Sequence, residues 1–130
     1  MMKLFNRFKK ILIVEDDRQL RRALAVKLAS EGFSVLEAVD GQEGLSMAMD
    51  EHPHLILLDL MLPKMDGMSV LEELRSKDNV WGKDVPVFII TNLGETDQRR
   101  LRAQELNVVE YIDKSLYQLD EIVKKVGAAL

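Results

Sequence analysis

Five short apolar runs, each followed by a stretch whose apolar residues recur at helical spacing, leave this chain few ways to fold. The runs are ILIV (11–14), SVLEA (34–38), LILL (55–58), VFII (87–90) and EYI (110–112). Each is too short for a helix and bounded by polar or turn-forming residues, so each reads as a strand. After the first run, Leu20, Ala23, Leu24 and Leu28 form an apolar stripe, with Gly32 placed to cap it. Asp40 with Glu43 has the spacing of a capping box and opens a helix through Leu45, Ala48 and Met49 that stops before Pro53. Met68, Leu71 and Leu74 mark a third helix, and Leu119, Ile122, Val123, Val126 and Leu130 mark the last. The fourth, about residues 96–106, offers only Leu101, Ala103 and Leu106 to a core and carries Arg99, Arg100 and Arg102. It is expected to be weakly anchored. Five β–α units in series predict an α/β fold, a doubly wound five-stranded parallel sheet with helices on both faces.

Composition narrows the function. The chain has 130 residues, 47% of them hydrophobic and 31% charged, as expected of a globular domain. It contains no cysteine, which excludes disulfides, thiolate zinc sites and cysteine nucleophiles. No apolar run approaches the ~20 residues of a membrane span. The net charge of −4 argues against direct nucleic-acid binding. Residues 1–10 hold Lys3, Arg7, Lys9 and Lys10 and no acid, leaving −8 for the rest. Residues 1–8 therefore read as a short basic segment before a domain at 9–130. With Leu4, Phe5 and Phe8 among its bases it is either a frayed end or a small amphipathic turn.

In a parallel sheet of this kind, ligands gather beyond the carboxyl ends of the strands. Glu15, Asp16 and Asp17 follow the first strand and Asp59 follows the third. Thr91 and Asn92 follow the fourth, and Asp113 and Lys114 follow the fifth. Clustered carboxylates repel unless a cation intervenes, and Mg²⁺ accepts such oxygens while keeping places for water and phosphate. An aspartate can attack phosphorus, with a lysine and a hydroxyl holding phosphoryl oxygens. Each piece has a plainer use: Asp17 as a helix cap, Thr91 as a strand former, Lys114 as a surface lysine.

The motifs together resemble the response-regulator receiver domain of two-component signalling, of the chemotaxis-regulator type. ILIVEDD resembles the family's acidic pair, and LILLDLMLPKMDG its phosphorylation segment, with Pro63 four and Gly67 eight residues after Asp59. FIIT and YIDK match its hydroxyl and lysine strands, with Tyr111 at the switch aromatic position. The resemblance implies a flavodoxin-like (βα)5 fold with Asp59 as phosphoacceptor. It also implies Mg²⁺ or Mn²⁺, held by Asp16 directly, Glu15 through water, Asp59, and the backbone carbonyl of Met61. Thr91 and Lys114 would hold phosphoryl oxygens, and Tyr111 would turn inward when Thr91 is drawn to the phosphate. The phosphoryl donor would be a sensor histidine kinase, a histidine phosphotransfer protein or a small phosphodonor. The chain would promote only its own phosphorylation and dephosphorylation, and so is not expected to be an enzyme.

Output is expected through residues 96–106, 110–113 and 117–130 to a downstream protein, in a cytoplasmic, stand-alone receiver that is a monomer or a phosphorylation-dependent dimer. Two departures from the family stand out. Asn92 replaces the usual small residue and, with Met61, is expected to gate the phosphoryl entrance. Ser115 replaces a proline after the lysine. Asn107 stands where glycine is common, in a place that suits a left-handed cap.

Two other functions compete. One is a degenerate receiver that only binds partners. The other is an aspartate-nucleophile phosphohydrolase, which would need a second acid two residues after the nucleophile, where Met61 stands. His52 and His54 form a His-x-His pair without an evident third ligand. Trp81 reads as a partner anchor or as cover for a helix end, and the seven methionines read as core filler. There is no phosphate-binding glycine motif.

Overall fold

A computed structural model describes residues 9–92 and 97–130. Ten elements alternate along it: β1 (Lys10–Val14), α1 (Arg18–Ser30), β2 (Ser34–Ala38), α2 (Gly41–Glu51), β3 (Leu55–Leu58), α3 (Gly67–Arg75), β4 (Val87–Thr91), α4 (Asp97–Glu105), β5 (Glu110–Asp113) and α5 (Leu119–Ala128). The strands form one parallel sheet in the order β2-β1-β3-β4-β5. This is the flavodoxin-like (βα)5 arrangement, with its reversal of strand order between β1 and β3. The expectations for residues 1–8 and for Thr96 lie outside the described residues.

Alternate side chains of each strand serve opposite faces, because successive Cβ atoms point opposite ways. Ile11 and Ile13, Leu55 and Leu57, and Phe88 and Ile90 pack with Leu24 and Leu28 of α1 and with Ile122, Val123 and Val126 of α5. Leu12 and Val14, Ile56 and Leu58, and Val87 and Ile89 pack with Ala48 of α2, Leu71 and Leu74 of α3, and Ala103 of α4. All four residues of β3 are buried, as are all five of β4, so Asp59 emerges from an enclosed strand. Truncating Leu71 or Leu74 to alanine would cost about 2–5 kcal/mol on this packing.

The helix ends follow the sequence closely. Asp17 accepts from the amides of Gln19 and Leu20, and Asp40 accepts from that of Glu43. Gly32 follows α1 at φ 98° and Asn107 follows α4 at φ 59°, both left-handed. Among the described residues no peptide bond is cis, Lys114–Ser115 included.

Three expectations need correction. The fully buried stripe of α1 is Arg21, Leu24, Ala25 and Leu28, while Leu20 packs half-buried against the same core and Ala23 is only half-buried. Leu101 is 57% exposed rather than in the core. It lies two residues, about 200°, from the buried Ala103, and so faces away from it. Nor are the methionines uniformly core filler: Met47, Met65 and Met68 pack on the core edge, but Met49 and Met61 are exposed.

With Leu101 outside, α4 is held chiefly by Ala103 and by its carboxyl end. Arg75, ending α3, donates Nε to Leu106 O at 2.7 Å, Nη1 to Gly82 O at 2.6 Å and Nη2 to Asn107 O at 3.3 Å. Arg102 adds an exposed ion pair to Glu72 at 3.0 Å, of small energetic value. Trp81 covers a helix end, stacking on His52 at 4.5 Å between ring centroids where α2 stops. His54 Nδ1 accepts from the Lys10 amide at 2.9 Å. Both histidines thus have structural work.

Candidate functional site

The chain brings Glu15, Asp16, Asp17, Asp59, Asn92 and Lys114 from its strand ends to one cleft of about 740 Å³. Glu15, Asp16 and Asp59 each place a carboxylate oxygen within 4.8 Å of the others. Glu15 and Asp59 are buried at 3% and 4% exposure, whereas Asp16 is exposed to solvent. Asp59 comes so close because the loop after β3 folds tightly back. A Cβ on Gly67 would stand 2.1 Å from the Asp59 carbonyl oxygen, so only glycine fits at the start of α3.

Every oxygen of the two buried carboxylates is held. Asp59 Oδ1 accepts from the Met61 amide at 3.1 Å, and Asp59 Oδ2 pairs with Lys114 Nζ at 2.8 Å. Glu15 Oε2 accepts from the Asp17 amide at 3.0 Å, and Oε1 meets the same Lys114 Nζ at 2.5 Å. Burial pushes the Glu15 carboxyl up to about 7, aided by nearby Asp59 and opposed by Lys114 and the Asp17 amide. For Lys114, burial works downward, but the hydrogen bonds to Asp59 and Glu15 prevail and raise it above its ordinary value.

Three carboxylates against one ammonium leave a formal charge of −2, which a divalent cation would neutralise. The donors are all hard oxygens, and Asp16 opens to solvent, so coordinated waters have room. The set therefore fits Mg²⁺ or Mn²⁺ better than a soft, thiolate-seeking metal. It is the single metal-compatible cluster among the described residues.

Thr91, fully buried at the end of β4, is tied to the lysine loop by its carbonyl, which accepts from the Lys114 amide at 2.9 Å. Met61 (58% exposed) and the exposed Asn92 line the same cleft. Tyr111 is opposite Ile89 in the β4–β5 register, half-buried on the α4 side, with the Arg100 guanidinium 5.8 Å from its ring centre.

Two residues of this region escape a reading by motif. Arg99 of α4 reaches the cleft wall. Arg21 of α1 is buried, donating Nη1 to Glu15 O at 2.9 Å and Nε to Glu37 Oε1 at 3.1 Å. A signal for Arg21 does exist in the sequence: it stands one turn before Leu24 and Ala25, on their stripe.

Comparison with known proteins places this architecture. The family model "Response regulator receiver domain" matches residues 11–127. The probable transcriptional regulator ycf27 of Porphyridium aerugineum is 41% identical over 105 residues, covering 81% of this chain and 41% of that protein. The DNA-binding dual master transcriptional regulator RpaA of Synechocystis is 35% identical over 121 residues, covering 93% of this chain and 48% of that protein. The chain thus spans about two-fifths to one-half of these relatives, which supports the receiver assignment but not a stand-alone unit. Among solved structures, the Mn²⁺-bound form of response regulator Rcp1 superposes with a TM-score of 0.76 at 28% identity, over 92% of each chain. No helix among the described residues is long and apolar enough to cross a membrane. Sheet order, the acidic cleft and the match over residues 11–127 agree: this chain belongs to the response regulator receiver domain family of two-component systems.

Proposed function

We propose that the chain is a phosphorylation-controlled signalling switch that accepts a phosphoryl group on Asp59. The observation that carries this is the disposition of the Asp59 carboxylate, buried yet facing a cleft, with one oxygen on the Met61 amide and the other on Lys114. A carboxylate oxygen of Asp59 attacks phosphorus of a phosphohistidine donor. The new P–O bond forms as the P–N bond breaks, and the electron pair leaves with the imidazole. Lys114 moves from Asp59 to a phosphoryl oxygen, and the Thr91 hydroxyl donates to another. Glu15, Asp16, Asp59 and the Met61 carbonyl would hold Mg²⁺ or Mn²⁺, which neutralises charge gathering on the phosphoryl oxygens.

The donor is a sensor histidine kinase, a histidine phosphotransfer protein or a small phosphodonor in the cytoplasm. The output face is α4, β5 and α5, meeting a downstream protein or a second copy of the chain. Arg100 over Tyr111 supports this, because it couples the exposed helix to the strand beside Thr91. The hydrolase alternative lacks its acid: the residue two after Asp59 is Met61, an apolar side chain.

Incubation with acetyl phosphate and Mg²⁺, read by intact mass, should add one phosphoryl group. Asp59→Asn and excess EDTA should each abolish it. Labelling of the asparagine variant at the unmodified rate would overturn the site.

A further inference from the structure

We infer that Arg21 is a positioning residue for the acidic cluster: by holding the Glu15–Asp16 peptide it sets the affinity of the cleft for a divalent cation. This deepens the reading above and rests on it. Four hydrogen bonds hold Glu15. Its amide donates to Ala38 O at 3.1 Å, and its carboxylate is held by the Asp17 amide and Lys114. Arg21 supplies the fourth, on the carbonyl oxygen. That bond governs Asp16. The peptide plane is rigid, so fixing Glu15 O fixes the direction of the Asp16 N–H and the Cα from which its side chain departs. The Asp16 carboxylate is exposed, so its aim depends on the backbone beneath it.

Arg21 is itself fixed from below. Glu37 stands opposite Ile13 in the β1–β2 register and takes Arg21 Nε on one carboxylate oxygen and Arg22 on the other. The guanidinium thus bridges a strand side chain and a loop carbonyl in one fork, which a lysine cannot do with fixed geometry. Packing alone does not call for it. A buried ion pair is often no more stabilising than an apolar pair of similar volume. Leucine or methionine would continue the stripe of Leu24, Ala25 and Leu28.

Positioning and simple charge predict opposite signs. Removing a cation near a divalent-ion site should tighten ion binding if charge alone mattered. Loosening the Glu15–Asp16 peptide should weaken it, and residues that orient metal ligands cost ~10–100-fold in affinity when lost.

The test is Mn²⁺ titration of the full chain by electron paramagnetic resonance, counting free ion, with circular dichroism to verify folding. Arg21→Met should bind Mn²⁺ roughly tenfold more weakly. Equal or tighter binding by the folded variant overturns the inference. Should Arg21→Met fail to fold, Arg21→Lys decides. It keeps the charge but not the fixed fork, and should bind at least roughly threefold more weakly, a smaller loss than the ~10–100-fold expected when an orienting residue is removed outright. Unchanged affinity there overturns the inference. Arg22→Met removes the other guanidinium from Glu37 but touches no carbonyl of the acidic loop, and should stay near the unmodified affinity. A loss as large as that of Arg21→Met would assign the effect to Glu37 and overturn the inference too. No Mn²⁺ binding by the unmodified chain would instead overturn the metal-dependent reading of the cleft.

Discussion

Lys114 Nζ stands 2.5 Å from Glu15 Oε1, yet the Glu15 carboxyl is pushed up to about 7 from 4.5, because burial and Asp59 outweigh that contact. The sign of the effect on stability follows. A carboxyl that binds its proton more tightly folded than unfolded contributes stability below pH 4.5, lost as pH rises through about 7. The full difference corresponds to at most roughly 3 kcal/mol. Urea unfolding in EDTA at pH 5.5 and 8.0 should show the unmodified chain losing about 1–3 kcal/mol more than Glu15→Gln over that interval. Parallel pH profiles would show that Glu15 is ionised at little cost.

A divalent cation should remove that penalty. Mg²⁺ binds the folded chain and stabilises it by mass action, by about 1 kcal/mol at five times its dissociation constant. For a domain of this size the melting temperature should rise by roughly 3–5 °C. Asp16→Ala should lose most of that gain. An equal gain in the variant, followed by differential scanning fluorimetry, would place the ion elsewhere.

Asn92 and Met61 line the cleft, and the water that hydrolyses a phosphoaspartate must enter in line with the Asp59–phosphorus bond. Asn92→Ala should accelerate both acetyl-phosphate labelling and phosphoryl loss, by roughly three- to tenfold, or about 0.7–1.4 kcal/mol of barrier. Intact mass after donor removal gives the half-life. Slower decay would mean that the Asn92 amide assists the water instead.

Phosphorylation should be felt at α4. Among the described residues this helix buries one side chain fully, Ala103, and Arg102 and Arg100 tie it to Glu72 and to the Tyr111 ring. Hydrogen exchange with and without beryllofluoride should change most over residues 97–115. Changes confined to residues 18–50 would move the output face to α1 and α2.

Asn107 occupies a left-handed conformation at φ 59° while its carbonyl accepts from Arg75. Asn107→Gly should be close to neutral in thermal unfolding, whereas Asn107→Val should lose about 1–2 kcal/mol. Equal stability of the valine variant would show that the turn relaxes freely.

The strands and most helix caps are legible in the chain because each depends on neighbours in sequence. LILL is apolar on both faces and becomes the strand buried on both, and Asp17 and Asp40 cap the helices they precede. The acidic and lysine residues of the cleft are legible because they stand at strand ends, where the topology must bring them together, whereas Arg99 arrives from α4. Long-range choices are not legible. Spacing puts Arg21 on the stripe of Leu24 and Ala25, but nothing local says that a guanidinium can be buried there, since its partner Glu37 lies sixteen residues away. Leu101 and Ala103 both look apolar, and only the neighbouring α3 decides which is covered. Arg75 looks like a solvent-facing helix end until the carbonyls of Leu106 and Asn107 arrive beneath it.

The Arg75 fork also gives α4 a mechanical character. The guanidinium grips the carbonyls just beyond the carboxyl end of the helix, while the opposite end lies toward the phosphoacceptor cleft, where Arg99 reaches the wall. A nine-residue helix is about 13 Å long, so a tilt of about 10° about the gripped end displaces the far end by about 2 Å. The displacement shrinks toward zero at Leu106. A tilting α4 would thus turn about a single side chain of α3, with its widest travel nearest the chemistry.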